Sequence, residues 1–197
     1  ALKAIGPLPP DVIGTPMDLD IVKTVEQALR WQPHARRVVT ITGASAWDRA
    51  WQARLDAELR ALSRPVEVVA LAALPTTAVL ERVRALGTDS VVYTPGYFSD
   101  GDGRFGTPRE SVVAIAAASA APVYGPYSTF IGTGIVGSVM TDFATAGQVA
   151  ARTVAELLRG TPAPAVAVPA RLPQTLHVDW RALQRFGIPA AELPADA

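Results

Sequence analysis

The stretch RVVTITGASAWDRAW, residues 37–51, decides how the fold is read. Valine, isoleucine and threonine run unbroken to Thr42, as in a strand covered on both faces. A Gly43-Ala44-Ser45 turn follows, after which Trp47, Trp51, Leu55, Leu59 and Leu62 recur at helical spacing. A strand that drops through small residues into a helix is half of a βαβ unit. In such units the turn lies at the carboxyl end of the strand, where ligands bind. Four uses are open to it: a phosphate cradle, a nucleophile, a grip on a small molecule, or a plain helix cap.

The same alternation continues outward. Before the stretch, Asp18 is placed to cap a helix with Ile21, Val25, Ala28 and Leu29 on its apolar stripe, and Pro33 stops it. After it, VEVVAL (66–71) reads as a strand, Val79, Leu80, Val83 and Leu86 as a helix face, and SVVYT (90–94) as a third strand. A Gly/Asp-rich loop at 95–106 leads into TPRE (107–110). Threonine there suits a cap, proline the first helical position, and glutamate the return bond to the cap. An Ala-rich helix and a short strand at 122–124 complete the run. Strand and helix alternating every 25 to 32 residues predict an α/β fold with a parallel sheet flanked by helices.

From Gly125 the texture changes to glycines interleaved with aromatics. A helix at 142–159 follows, with Ala146, Val149, Ala150, Val154, Leu157 and Leu158 on one side. A Pro/Ala connection then leads into a short extended segment and on to DWRALQRFG (179–187), a short helix capped by aspartate. This predicts two units, an α/β lobe at 1–124 and a returning segment at 125–197 that leaves the first sheet.

Composition narrows the chemistry. Eighteen basic residues balance eighteen acidic ones with no cluster, so the electrostatic footprint of nucleic-acid binding is missing. There are no cysteines, which excludes disulfides and thiolate chemistry. Half of the residues (49%) are apolar, enough for a sizeable core. GTGIVG (132–137) matches the dinucleotide fingerprint in letters but lacks its strand-turn-helix setting. GASAW is no nucleophile elbow, because tryptophan stands where the second glycine belongs. His34 and His177 have no serine or aspartate pattern beside them. SDGDG (99–103) lacks the glutamate that ends a calcium loop. No catalytic residue, metal site or cofactor is expected.

What remains is Ser45 at a helix start with Asp48 three residues on. That is a capping box, and the same geometry can hold a carboxylate on free helix N–H groups. Tyr93, Tyr97, Phe98, Tyr124, Tyr127 and Phe130 gather on the loops and strand ends of this edge. An aromatic wall opposite a helix N-terminus suits a small organic molecule.

ALRWQPHARRVVTITGASAWDRAW (28–51), APVYGPYSTFIGTGIVGS (121–138) and GQVAARTVAELLRGTPAPAVAV (147–168) resemble the substrate-binding proteins of bacterial ABC transporters. They are more particularly similar to the version fused as an extracytoplasmic sensor to signal-transduction histidine kinases; DWRALQRFGIPAAELP (179–194) is the part most like that form. The resemblance implies the type I periplasmic-binding architecture, two α/β lobes closing on a ligand, with much of the first lobe not in this chain. It implies ligand contacts at Ser45, Ala46 and Trp47 on the first loop, Tyr97 on the third-strand loop, and Tyr124, Tyr127 and Gly132 on the crossover. The implied function is a non-catalytic sensor domain for a small organic ligand, such as an amino acid or aromatic acid. It would be extracytoplasmic, part of an inner-membrane protein, and touch the membrane only through parent segments outside this chain. A freestanding transporter-binding protein is the alternative, and a hydrolase- or transferase-like enzyme using Ser45 or Asp48 the weaker one. An uncovered apolar stripe on the 142–159 helix would favour self-association.

Overall fold

The structure is a computed structural model that describes residues 12–189 together with Pro9 and Leu193. The remainder of the C-terminal tail lies outside the described residues. The helices are α1 (Ile21–Trp31), α2 (Ala46–Glu58), α3 (Thr76–Arg84), α4 (Pro108–Ala118), α5 (Phe143–Leu158) and α6 (Trp180–Arg185). The strands are β1 (Arg37–Thr42), β2 (Glu67–Ala72), β3 (Ser90–Tyr93), β4 (Val123–Tyr124), β5 (Gly137–Met140) and β6 (Thr175–Val178). They form one sheet in the order β2-β1-β3-β4-β5-β6. All neighbours are parallel except β6, which runs antiparallel to β5.

Strand parity divides the core between the two faces of the sheet. Val38, Val91, Tyr93 and Tyr124 face α1, α2 and α6, meeting Ile21, Val25, Leu29, Leu55 and Leu183. Val39, Ile41, Val92 and Val123 face α3 and α4, meeting Val79, Val83, Val112 and Ile115. Burying each such side chain stabilises by roughly 1.5–3 kcal/mol relative to exposure. The continuous apolar run of β1 is explained by this, since both of its faces are covered. TPRE behaves as the sequence predicts: Glu110 N–H bonds Thr107 Oγ1 at 3.2 Å, and Thr107 N–H bonds Glu110 Oε2 at 2.7 Å.

Two expectations are corrected. The cap of α1 is Asp20, whose Oδ1 accepts the Lys23 N–H at 2.9 Å; Asp18 lies outside the helix, and its carbonyl accepts from Gln174. More consequentially, the sheet does not end near residue 124. The glycine-rich segment turns back so that β5 joins β4, and Val136 N–H bonds the Val123 carbonyl at 2.7 Å. Gly137 makes the next step possible, because a Cβ there would stand 2.1 Å from the His177 carbonyl of β6. Thr24 of α1 then holds β5 from above, accepting the Val139 N–H at 3.1 Å and pairing with Ser138 Oγ at 2.9 Å. GTGIVG is therefore a turn entering a strand, the reverse of the dinucleotide setting.

The helix α5 leaves the sheet. None of its residues is buried, and Leu158 is 84% exposed with Phe143, Val154 and Leu157 also open. The apolar stripe expected on this helix is present and, among the described residues, uncovered.

Tyr124 belongs to the core. It is 2% exposed and stacks on Trp31 at 6.4 Å, and among the described residues its hydroxyl has no hydrogen-bond partner. Burial pushes that hydroxyl far above its ordinary range. A buried polar group without a partner costs free energy that its deletion recovers. Tyr124→Phe is thus expected to leave the urea midpoint unchanged or raise it, and to leave ligand affinity unchanged. A large drop in stability would show that the hydroxyl is bonded.

Candidate functional site

Strand order 2-1-3-4-5 places a topological switch between β1 and β3, where the following helices depart to opposite faces of the sheet. The loop after β1 is Gly43-Ala44-Ser45 and the loop after β3 begins at Thr94, so the Gly-Ala-Ser turn lies at this switch point.

Ser45 caps α2. Its Oγ accepts the Asp48 N–H at 3.1 Å, and Ser45 N–H bonds Asp48 Oδ2 at 2.9 Å, a complete capping box. Asp48 does more than return the cap. Fully buried, it also accepts Phe98 N–H at 3.2 Å and Ser99 N–H at 3.4 Å, tying the two switch-point loops together. Gly43 is what allows them to touch. A Cβ at this position would lie 2.1 Å from the Ser99 carbonyl and 2.6 Å from Tyr97 Cβ, and Ala44 N–H bonds that same carbonyl at 2.7 Å. The capping box takes two of the four N-terminal N–H groups of α2, and among the described residues those of Ala46 and Trp47 have no acceptor.

Beside this terminus runs a chain of rings. Trp47 meets Phe98 edge-on at 4.9 Å and Trp51 at 5.9 Å; Trp51 meets Tyr127 at 6.3 Å, and Tyr127 meets Phe130 at 5.3 Å. Trp47 and Tyr127 are half-buried, while Phe98 is 41% exposed. Burial pushes the Tyr127 hydroxyl up. Ala46 is exposed at the head of the helix.

The other residues expected at the site lie elsewhere. Tyr124 is in the core. Tyr97 turns to the opposite face of the sheet, where its hydroxyl bonds Thr76 Oγ1 at 3.0 Å and burial raises it, against the opposing effect of that bond. It lines a separate cleft of about 410 Å³ with Asp100, Phe105 and Glu110. Gly132 is exposed and spends its N–H on Asp179 Oδ2 at 3.1 Å, so it serves the cap of α6. Ser45, Ala46, Trp47 and Tyr127 are brought to one neighbourhood by α2 and the ring chain; Tyr97, Tyr124 and Gly132 are not.

Asp100 organises the loop at 95–106. It accepts from Thr76 N–H and Oγ1 and from the N–H groups of Asp102 and Arg104, at 2.8–3.1 Å. Burial pushes its carboxyl up, but these hydrogen bonds outweigh burial and hold it below its ordinary value. With a depressed folded value, this clamp is in force above the ordinary carboxylate range and is lost as pH falls through the lowered one. The Asp/Gly run was the sequence signal for a turn, but nothing local showed that Thr76 would meet it.

No family model matches the chain, and no curated protein matches it. Solved structures do. A substrate-binding protein with adhesive properties from Clostridium difficile, in its ligand-free open form, superposes with a TM-score of 0.68 at 17% identity, over 93% of this chain and 59% of its own. An ABC domain in complex with L-Trp from Streptococcus pneumonia gives 0.59 at 16%, over 87% and 57%. A conserved domain protein from Vibrio cholerae gives 0.58 at 19%, over 85% and 55%. The chain thus spans somewhat over half the length of these proteins. The class follows from the likeness: this is a substrate-binding-protein fold, with a mostly parallel six-stranded sheet flanked by helices. Among the described residues no helix is long and apolar enough to cross a membrane.

Proposed function

We propose that this chain is the ligand-binding part of a two-lobed, non-catalytic, extracytoplasmic binding protein, and that it serves as the sensor domain of a membrane-bound histidine kinase. The observation that carries the binding reading is the arrangement at the head of α2, at the switch point of the sheet. Two unspent N–H groups of α2 stand beside the half-buried ring of Trp47 and the exposed ring of Phe98. A small carboxylate would be oriented by the helix terminus, a contribution of about 0.3–2 kcal/mol. The greater part of the affinity would come from apolar burial on the rings. Ser45, Ala46, Trp47, Tyr127 and the added Phe98 are the residues assigned to this contact.

An amino acid or aromatic acid fits these features, and one structural neighbour is described in complex with L-Trp. The two-lobed reading draws on α5, whose open stripe would be covered by a complementary lobe. Closure of the lobes on ligand would then shift a conformational equilibrium passed on beyond α6. The kinase-linked reading draws on the 179–194 segment. The neighbour from Clostridium difficile, described as a substrate-binding protein, favours a second reading, a transporter component. Reading the gene beyond residue 197 separates the two, a membrane span and kinase for the first and a stop codon for the second.

The binding reading is tested by thermal-shift screening of the complete protein against the twenty amino acids and a set of aromatic acids. A raised melting temperature with an aromatic member is expected. A flat response across the panel, with turnover of an ester or amide substrate that disappears in Ser45→Ala, would overturn it in favour of an enzyme.

A further inference from the structure

Among the described residues, the edge strand β2 has no strand paired on its outer side. Glu67 N–H bonds the Arg36 carbonyl at 2.9 Å and Ala73 N–H bonds the Thr42 carbonyl at 3.1 Å, with Arg37 in register with Glu67. In a parallel ladder of that parity residues 67, 69 and 71 face β1, so the N–H and C=O groups of Val68, Ala70 and Ala72 point away from the sheet. Soluble proteins blunt such an edge with lysine, proline, a bulge or a covering element. The strand, EVVALA, carries one charge at its start and none of these devices inside. Val68 is 41% exposed. Alongside it lies a groove of about 520 Å³ between the strand and the end of α2, lined by the apolar Leu59, Leu62, Val68 and Ala70 and the charged Asp56, Arg60 and Arg64, the last of which is spent on the Pro33 and Ala35 carbonyls. Among the described residues neither Asp56 nor Arg60 is in an ion pair.

We propose that this edge is an interface with a second copy of the chain, the two β2 strands pairing antiparallel about a two-fold axis at Val69. Self-complementarity selects this occupant. With the axis there, Val68 lies opposite Ala70 of the partner subunit and Ala70 opposite Val68 of the partner subunit, so a larger side chain meets a smaller one on each rung. The two Glu67 residues are separated by four residue spacings, about 13 Å, so like charges do not face each other. Strands about 4.8 Å apart would set the two β1 strands about 14 Å from each other. The α2 helices packed over them would then flank one shared groove. An isologous contact brings Asp56 of each protomer towards Arg60 of the other, which pairs these two charges.

Because the chain has no cysteine, the axis can be tested directly. Val69 would face itself at a non-hydrogen-bonded position with Cα atoms about 4.5 Å apart, within disulfide reach. Mild oxidation of Val69→Cys is expected to yield a covalent dimer in high fraction, and Glu67→Cys almost none. Sedimentation should show a reversible dimer for the wild type and a folded monomer for Val68→Pro, since proline there removes an outward N–H and no bond to β1. A wild-type monomer across the micromolar range would overturn the proposal. So would a dimer that persists in Val68→Pro and disappears in Leu158→Glu, which would move the interface to the open face of α5. Ligand binding at the switch point is independent of either result.

Discussion

Asp48→Ala is expected to cost the fold about 2–4 kcal/mol, far beyond the loss of a helix cap. A cap alone is worth about 1 kcal/mol. Here the carboxylate also holds Phe98 and Ser99 across the switch point, and deleting it leaves up to three backbone N–H groups without an acceptor, the one at Ser99 buried. Each such orphan costs about 1–3 kcal/mol when water cannot reach it. Asp48→Asn keeps one acceptor oxygen and should recover part of the loss. Gly43→Ala should be as damaging by a different route, because the new methyl would overlap backbone oxygen and a neighbouring Cβ that have no room to shift. Urea midpoints for the three variants check this. An Asp48→Ala midpoint equivalent to less than about 1 kcal/mol would reduce the residue to an ordinary capping partner.

Trp47→Ala is expected to weaken binding of an aromatic ligand about 10- to 100-fold, equivalent to roughly 1.4–2.8 kcal/mol. The half-buried ring supplies the largest apolar surface beside the free N–H groups of α2, and buried aromatic anchors dominate binding energies. Ser45→Ala should cost less, because its hydroxyl is already spent on the Asp48 N–H. Tyr127→Ala should fall between the two, since its ring supports Trp51 more than it faces outward. Calorimetric titration of the four proteins with L-tryptophan, or with the tightest member of the screened panel, gives the order. Equal affinities for wild type and Trp47→Ala would remove the ring from the site.

The parts of this fold written in local pattern were legible. β1, α2, α3 and α4 follow from hydrophobic period and caps, and the capping box at Ser45 and Asp48 stands as its spacing predicts. The extended segment before the last helix was legible and is β6; the strand β5 was not, because glycines and small residues hide a strand whose partner approaches too closely for side chains, as Gly137 does against β6. The aromatics show the same limit at the site. Period and position place Tyr97, Tyr124 and Tyr127 near one edge, but strand parity and loop path decide which way each ring turns. Tyr97 turned to the α3 side and Tyr124 into the core, while Phe98, one residue on, became the outward ring. The long-range acceptor role of Asp48 left no trace in sequence, since a carboxylate at that spacing reads only as the cap's partner.

The site proposed for the ligand is the head of α2, beside Trp47 and Phe98. Amide and indole chemical shifts of the nitrogen-labelled protein, followed during titration with L-tryptophan or the tightest panel ligand, test it most directly. The largest shifts are expected on the Ala46, Trp47 and Phe98 amides and on the Trp47 indole. Shifts centred instead on Phe105, Glu110 and the cleft beneath Tyr97, or no saturable shift with any ligand of the panel, would contradict it.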